Sequence, residues 1–447
     1  MLSLLPDITA TLPRLLRTLA GLAGAVAMLL SGTGGAHTGG AHTARQAPQA
    51  GPVLPSQDPF YTYTGSTPLS QIPPGTVLKQ RQVTLTIASL TIPYSSEQVL
   101  YRTTGELGQP TVTVTTIIRP LLSLLGTKIV AYQMAYDSLG SECDPSYTLP
   151  GGNNSDSTGQ EEELAIAAYL IAGYVVTVPD YEGENLDWGA GQESGYGTLD
   201  AIRATESYLG VSSSTDAGMV GYSGGAIATE WASELAPAYA SGLHIIGAAA
   251  GGVPVDFAHN LTYINGDDDW SGIMPAILDS LGQAFNIDIT PYLSAYGEQL
   301  TSAVEGECIA SFATAYPGLT FQQLLLPQYS NPFQIAPLVT VLNHLIMGSS
   351  GNTPREPLLF GVGDSDGTGD GIMIDGDVEA LAHEYCQRGV PVTFTVYPGL
   401  PHADAAVPFE AQALTFLEGQ FSGLPAPDGC ALIGPGNSLA PLPQPAS

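Results

Sequence analysis

A single serine set among glycines is the residue best suited to nucleophilic chemistry. Residues 221–225 read G-Y-S-G-G and fit G-x-S-x-G, the pattern of a serine on a sharp turn between a strand and a helix. The apolar run 217–220 precedes this turn, and residues 226–236 carry large apolar side chains at helical spacing. This context predicts that Ser223 is a nucleophile that forms a covalent intermediate.

A second match to the same pattern, residues 363–367, lacks that context. Its serine, Ser365, lies between Asp364 and Asp366 in a Gly/Asp-rich stretch, and no helical pattern follows directly. Adjacent carboxylates would also oppose the negative charge that develops when a serine attacks. Ser223 is therefore preferred to Ser365.

A serine nucleophile needs a general base, and His402 is the best placed of seven histidines. It follows the β-branched run 391–397 and a P-G-L-P turn, and it precedes the helix-like run 405–421. The α/β-hydrolase fold holds its histidine in a loop after the last strand, in the chain order serine, acid, histidine. The alternative is an ordinary solvated loop histidine. The others lie in the N-terminal segment (His37, His42), a strand-like run (His244), a long insertion (His259, His344) and a helical run (His383).

An acidic stretch offers the third member of such a triad. Residues 363–377 follow the strand-like run 357–362 and contain five aspartates, Asp364, Asp366, Asp370, Asp375 and Asp377. Judged by distance from the strand end, Asp364 or Asp366 would be natural. The surplus acids are equally compatible with a solvated loop.

The same stretch resembles a calcium-binding loop in part. Asp364, Asp366 and Gly369 occupy loop positions one, three and six. However, Thr368 stands at position five, Asp375 replaces the usual glutamate at position twelve, and a strand precedes the loop. We therefore predict no metal site.

The candidate residues follow strand-like runs that alternate with helix-like runs. This alternation predicts an α/β fold with a mostly parallel central sheet flanked by helices. The earliest strands have no helices between them and are expected to pair antiparallel. The strand-like runs are 83–92, 111–118, 128–135, 174–178, 217–220, 244–250, 357–362 and 391–397, and helix-like runs include 161–173, 197–210 and 377–389.

A long insertion interrupts this rhythm between two strands. Residues 253–350 contain the apolar, helix-like pieces 271–285 and 332–347. An insertion of this size usually forms a cap or lid over a site. An additional structural subdomain is the alternative.

The termini differ in composition from the rest of the chain. Residues 1–36 are predicted to be a secretory signal peptide, because Arg14 and Arg17 precede an apolar core at 19–30 and small residues follow. A Gly/Ala/Pro linker is expected at 37–55, the main domain at 56–430 and a Pro-rich tail at 431–447. No later segment is typical of a membrane span, so we expect a secreted, extracellular protein.

Charge and cysteine content fit this location. The chain has 42 acidic and 11 basic residues, a net charge of −31, which repels nucleic acid and anionic membranes. Adaptation to high salt would be another explanation. Four cysteines, Cys143, Cys308, Cys386 and Cys430, predict two disulfides in an exported protein, and the spacing leaves three pairings open.

Several segments together resemble one known family. Residues 131–152, 174–204, 221–239 and 361–409 are similar to the secretory lipases, the group that contains yeast lipase A, within the α/β-hydrolase superfamily. The resemblance covers most of residues 56–425, and it is less clear in the insertion. It implies an α/β-hydrolase fold with a helical cap inserted before the strand that precedes the catalytic acid.

The resemblance also implies roles for individual residues. Ser223 corresponds to the nucleophile, His402 to the base and Asp370 to the acid, although residues G-I-M-I after Asp370 depart from the yeast pattern. The backbone N–H groups of Asp137 and Gly224 correspond to the oxyanion hole. An ordinary turn at Asp137 is the alternative.

The resemblance favours the disulfides Cys143–Cys308 and Cys386–Cys430, of which the first would tie the oxyanion loop to the cap. The resemblance and the apolar pieces of the insertion together favour a triacylglycerol lipase acting at a lipid–water interface. We expect a monomer that needs no metal or organic cofactor. An esterase or acyltransferase for smaller soluble esters would use the same residues. A non-catalytic, secreted lipid-binding protein is the alternative from another class.

Overall fold

The computed structural model describes residues 51–87, 90–92, 94–122, 126–152 and 157–445. The predicted signal peptide 1–36 and the first part of the predicted linker, 37–50, lie outside the described residues. Among the residues that are described, no helix combines the length and apolar character needed to cross a membrane.

The described strands form a nine-stranded sheet in the order β1-β4-β5-β7-β6-β8-β9-β10-β11. The first four strands in this order pair antiparallel, and the pairs from β7 to β11 are parallel. The predicted mostly parallel sheet with antiparallel early strands is therefore confirmed. The strands are β1 Val77–Val83, β4 Ser95–Thr104, β5 Pro110–Arg119, β6 Ile129–Gln133, β7 Val175–Pro179, β8 Asp216–Tyr222, β9 His244–Gly251, β10 Leu358–Asp364 and β11 Val392–Pro398.

Helices cover both faces of this sheet, because successive side chains of a buried strand point to opposite faces. In β8, Met219 packs in the cluster that contains α3, α4 and α11, and Val220 packs in the cluster that contains α2 and α12. The helices outside the cap are α1 Pro145–Thr148, α2 Ser157–Ile171, α3 Gly191–Leu209, α4 Gly224–Tyr239, α11 Asp375–Gln387 and α12 His402–Phe421.

The insertion between β9 and β10 is helical. We call residues 253–350 the cap. Most of its buried apolar side chains belong to the same core cluster as α4, which brings the cap over the carboxyl end of β8. The described cap helices are α5 Phe257–Tyr263, α6 Ile273–Ala284, α7 Ala295–Val304, α8 Ile309–Phe312, α9 Phe321–Leu324 and α10 Ala336–His344.

The prediction of one strand over 83–92 is wrong. Strand β1 ends at Val83, and a separate two-stranded hairpin follows, β2 Thr86–Ile87 and β3 Leu90–Thr91. After the backbone has left the main sheet, Thr86 N–H donates to the carbonyl of Leu149 at 2.8 Å.

The Pro-rich C-terminal tail packs on the cap and on α11. Asn343 of α10 exchanges two hydrogen bonds with the backbone of Leu442, at 2.7 and 2.9 Å. Asn437 donates to Asp377 Oδ1 at 2.8 Å. These hydrogen bonds attach the C-terminal tail to the surface of the domain.

The structure contains the disulfides Cys143–Cys308 and Cys386–Cys430, which close 165 and 44 residues of chain. A cross-link that closes a longer loop removes more entropy from the unfolded chain.

Replacing Cys143 and Cys308 together by serine is expected to lower the free energy of unfolding by about 5 kcal/mol, since loop-closure entropy scales with loop length. The same change at Cys386 and Cys430 is expected to cost about 4 kcal/mol. Urea unfolding of both double variants measures the difference. Equal stability of the Cys143/Cys308 variant and the wild type would contradict this prediction.

Candidate active site

Ser223 lies on a strained turn between β8 and α4. Its backbone angles are φ 55° and ψ −121°, a conformation that side chains other than glycine rarely adopt. Three neighbouring glycines allow the turn to close. A Cβ atom at Gly221 would lie 2.2 Å from the carbonyl oxygen of Gly225, and one at Gly225 would lie 1.9 Å from that of Gln133. This crowding explains the predicted need for small residues around the serine.

The structure brings Ser223, His402 and Asp370 into one hydrogen-bonded row. His402 Nε2 lies 2.8 Å from Ser223 Oγ, and His402 Nδ1 lies 2.8 Å from Asp370 Oδ2. The imidazole and the carboxylate are almost fully buried. The arrangement can therefore move a proton from the serine hydroxyl to the imidazole while the carboxylate orients the ring.

Asp370 is held by backbone groups on both sides. Its Oδ1 accepts hydrogen bonds from the N–H groups of Ile372 and Met373, at 3.2 and 2.7 Å. Its carbonyl accepts from His402 N–H at 2.9 Å. The second carboxylate oxygen thus remains directed at the imidazole.

The other aspartates of this loop bond elsewhere. Asp364 Oδ1 accepts from Gly367 N–H, and Asp366 Oδ1 accepts from the N–H groups of Thr368 and Gly369. Ser365, the second candidate serine, donates to the carbonyl of Gly369. In the described part of the chain, no group of three or more His, Cys, Asp or Glu side chains is arranged to hold a metal ion.

His402 is the first residue of α12 and does not lie in a preceding loop, in contrast to the expectation. The Tyr222 hydroxyl donates to its carbonyl at 2.7 Å. Burial, followed by the charge of Asp370, raises the pKa of Tyr222 above its usual range, so this hydroxyl stays protonated. The Trp270 indole of the cap meets the imidazole edge-on, with 5.5 Å between ring centroids.

The remaining described histidines have other partners. His259 bonds Asp377 at 3.0 Å, and His244 bonds Asp216 at 2.9 Å. The His344 ring is hydrogen-bonded to the side chain of Gln192, and the His383 ring to that of Gln387. His37 and His42 lie outside the described residues.

Asp137 and Gly224 face each other beside the serine. Asp137 follows β6 with φ 37° and is 3% exposed. A Cβ atom at position 224 would lie 1.5 Å from Asp137 Oδ1, so only glycine fits there. The N–H of Gly224 starts α4, where backbone N–H groups carry partial positive charge.

The segment 134–139, which we call the oxyanion loop, has tethers that sequence reasoning missed. The Ala135 N–H donates to both carboxylate oxygens of Glu162, each at 3.0 Å. The Tyr181 hydroxyl donates to the carbonyl of Met134 at 2.7 Å. No sequence motif identifies Glu162 or Tyr181, because each side chain bonds a backbone group that is distant in sequence.

The oxyanion loop also pairs with the cap. Leu139 exchanges backbone hydrogen bonds with Gly306 and Glu307, both 3.0 Å, and Ser138 forms a β-bridge with Cys308. The disulfide from Cys308 reinforces this junction.

An apolar cavity opens beside Ser223, between the cap and α4. Most of its wall comes from aliphatic and aromatic side chains of the cap and of α4. It is lined by Asp137, Trp188, Ser223, Gly224, Ile227, Pro254, Phe257, Asn260, Leu261, Ile264, Trp270, Ile273, Ile277, Ile309, Ile372 and Met373. This lining is suited to an apolar substrate group next to the serine hydroxyl.

Comparison with known proteins gives consistent results. Residues 152–429 match the family model described as secretory lipase. A Mycobacterium tuberculosis protein named as a probable inactive lipase is 32% identical, with 84% of this chain and 84% of that protein covered. Lipase A of Arthroderma benhamiae is 32% identical, with 86% and 83% covered. The closed-state X-ray structure of Candida antarctica lipase A is similar with a TM-score of 0.77, 28% identity and coverage of 89% of this chain and 91% of that one.

Proposed function

The chain belongs to the secretory lipase family, and we propose that it is a secreted triacylglycerol lipase with Ser223, His402 and Asp370 as its catalytic triad. It is a carboxylic-ester hydrolase with the α/β-hydrolase fold. The observation that carries the proposal is the continuous path Asp370–His402–Ser223, with 2.8 Å at each step.

Catalysis begins when Ser223 Oγ attacks the ester carbonyl carbon. His402 Nε2 takes the hydroxyl proton as the new C–O bond forms, and Asp370 stabilises the resulting imidazolium. The imidazolium then protonates the leaving alcohol, which leaves an acyl-enzyme on Ser223. Water repeats the sequence, with His402 again as base, and releases the fatty acid.

The developing oxyanion is stabilised by the backbone N–H groups of Asp137 and Gly224. Donors of this kind act best when the fold fixes them in advance, because no reorganisation is then required as charge develops. One such donor contributes about 3 kcal/mol of transition-state stabilisation in comparable enzymes. The position of Asp137 directly beside Gly224, through its side chain, supports this pairing.

The apolar cavity supports a long acyl chain as the substrate group bound next to Ser223. Burying methylene groups there is favourable by about 0.8 kcal/mol each. The net charge of −31 favours neutral over anionic lipid surfaces. The predicted signal segment and the two disulfides support an extracellular location, and we expect a monomer that does not bind nucleic acid.

Wild-type enzyme is expected to hydrolyse p-nitrophenyl palmitate and emulsified triacylglycerol, and Ile277→Phe is expected to change its chain-length preference. Ile277 lines the cavity, and a larger ring there removes room for the distal acyl carbons. The palmitate-to-butyrate ratio of kcat/KM should fall about tenfold or more.

Ile277→Val is the matched control, since it enlarges the cavity and should retain the long-chain preference. An unchanged ratio in Ile277→Phe would exclude this cavity as the acyl site. Turnover of soluble butyrate alone by the wild type would favour the esterase alternative, and product transfer to an added alcohol in preference to water would favour an acyltransferase.

A non-catalytic lipid-binding role is the alternative suggested by the relative named as inactive. The contacts of Ser223 and His402 in this chain favour activity instead. Absence of turnover and of fluorophosphonate labelling in the wild type would support the binding role.

A further inference from the structure

Glu182 lies directly beneath the oxyanion loop and contacts it twice. Its backbone N–H donates to the Tyr136 hydroxyl oxygen at 2.6 Å. Its side-chain Oε2 accepts a hydrogen bond from Ser138 N–H at 3.3 Å. The side chain is fully buried, so water does not compete for this contact.

Asp137, between those two contacts, has a strained backbone. Its φ of 37° is in the left-handed region. Strain of this kind persists only where the surroundings over-determine the conformation, and it concentrates at functional sites. The bond from Ser138 N–H to Glu182 holds the peptide unit that follows Asp137.

On the basis of the proposed function, we propose that Glu182 is a positioning residue that fixes the Asp137–Ser138 peptide and so aims the Asp137 N–H at the oxyanion. It does not touch the substrate. Glu182 acts only by fixing the direction of the Asp137 N–H. A misplaced oxyanion donor lowers kcat more than it changes KM.

The surroundings of Glu182 favour its neutral form. The charged groups that act on it are the carboxyls of Asp137, Asp144 and Asp187, and the hydroxyl of Tyr181 lies nearby. Burial first, and then the charge of Asp137, raise the pKa of Glu182 well above its usual range. The neutral form of Glu182 is therefore favoured, and in that form one carboxyl oxygen still accepts from Ser138 N–H.

Loss of the proton from Glu182 is expected to lower the activity. As pH rises through the raised pKa, Glu182 ionises and places a negative charge beside the developing oxyanion. Repulsion in this buried site destabilises the transition state. Activity should thus show an alkaline decline that belongs to Glu182.

The test compares Glu182→Gln and Glu182→Ala in kcat and KM over a range of pH. Glutamine is neutral and its amide oxygen can accept from Ser138 N–H, so kcat at pH near 7 should stay within about threefold of wild type, and the alkaline decline should disappear. Alanine removes the acceptor, so kcat should fall about tenfold or more, with KM changed less than about threefold.

Glu356→Gln is the matched control, because Glu356 is also buried, has a pKa raised to about 7 by burial, and lies outside the oxyanion loop. It should keep the wild-type pH profile. An alkaline decline that persists in Glu182→Gln would overturn the proposal, whether or not the alanine variant folds. A wild type that neither turns over esters nor labels at Ser223 would instead refute the proposed function itself.

Discussion

Ser223→Ala is expected to lower kcat for ester hydrolysis by about 10⁶-fold, the loss seen when the nucleophile of a comparable triad is removed. Without Oγ, His402 has no hydroxyl to deprotonate and no acyl-enzyme can form. Rates on p-nitrophenyl esters measure the loss, and covalent labelling by a fluorophosphonate should disappear with it.

Ser365→Ala provides the matched control, because Ser365 belongs to the second G-x-S-x-G match and lies near Asp370. Its loss removes one hydrogen bond to Gly369, so labelling and most of the turnover should remain. Labelling that survives in Ser223→Ala would show that another residue is the nucleophile.

Asp370→Asn is expected to lower kcat by about 10⁴-fold with little change in KM. The amide can donate to His402 Nδ1, which would place the ring proton on Nε2. In that tautomer, Nε2 cannot accept the proton of Ser223. The expected result is a folded enzyme with intact substrate binding and a slow chemical step.

Asp364→Asn and Asp366→Asn separate Asp370 from its competitors. Both side chains accept from backbone N–H groups of their own loop, which an amide oxygen can also do. Their kcat should stay within about threefold of wild type, because neither side chain is buried and neither contacts His402. A 10⁴-fold loss at either position, with Asp370→Asn active, would reassign the acid.

The alternating pattern allowed the sheet and the turn at Ser223 to be predicted because local signals and tertiary structure agree there. The apolar run 217–220 lies within β8, and the helical run after Ser223 is α4. Its residues Ile227, Trp231 and Leu235 are all buried, as their spacing indicated. Placing His402 required only the order of the elements, although α12 begins three residues earlier than the predicted run, at His402 itself.

The choice of Asp370 depended on family resemblance, since periodicity carries no information about a loop path. Asp364 ends β10 and is nearer in sequence to the strand. The path to His402 is set by a turn in which Asp370 N–H donates to the Met373 carbonyl at 3.0 Å. Such backbone contacts are specified by the whole loop and not by one residue type.

The sequence patterns also failed to predict a strand that is rich in polar residues. Strand β4, with the sequence S-S-E-Q-V-L-Y-R-T-T, lies between β1 and β5, and its Gln98 is fully buried. Hydrogen bonding to the Ser146 carbonyl satisfies that amide. Composition alone indicates exposure for such a stretch, because the partner that pairs with each polar group is distant in sequence.

The pairing of Leu139 with Gly306 and Glu307 joins a central segment of the cap to the oxyanion loop. A coupling free energy between two sites acts equally in both directions. We therefore expect a ligand that draws residues 306–307 away to weaken oxyanion binding at the proposed site. A transition-state analogue bound at Ser223 would in turn hold these residues by the same amount of free energy.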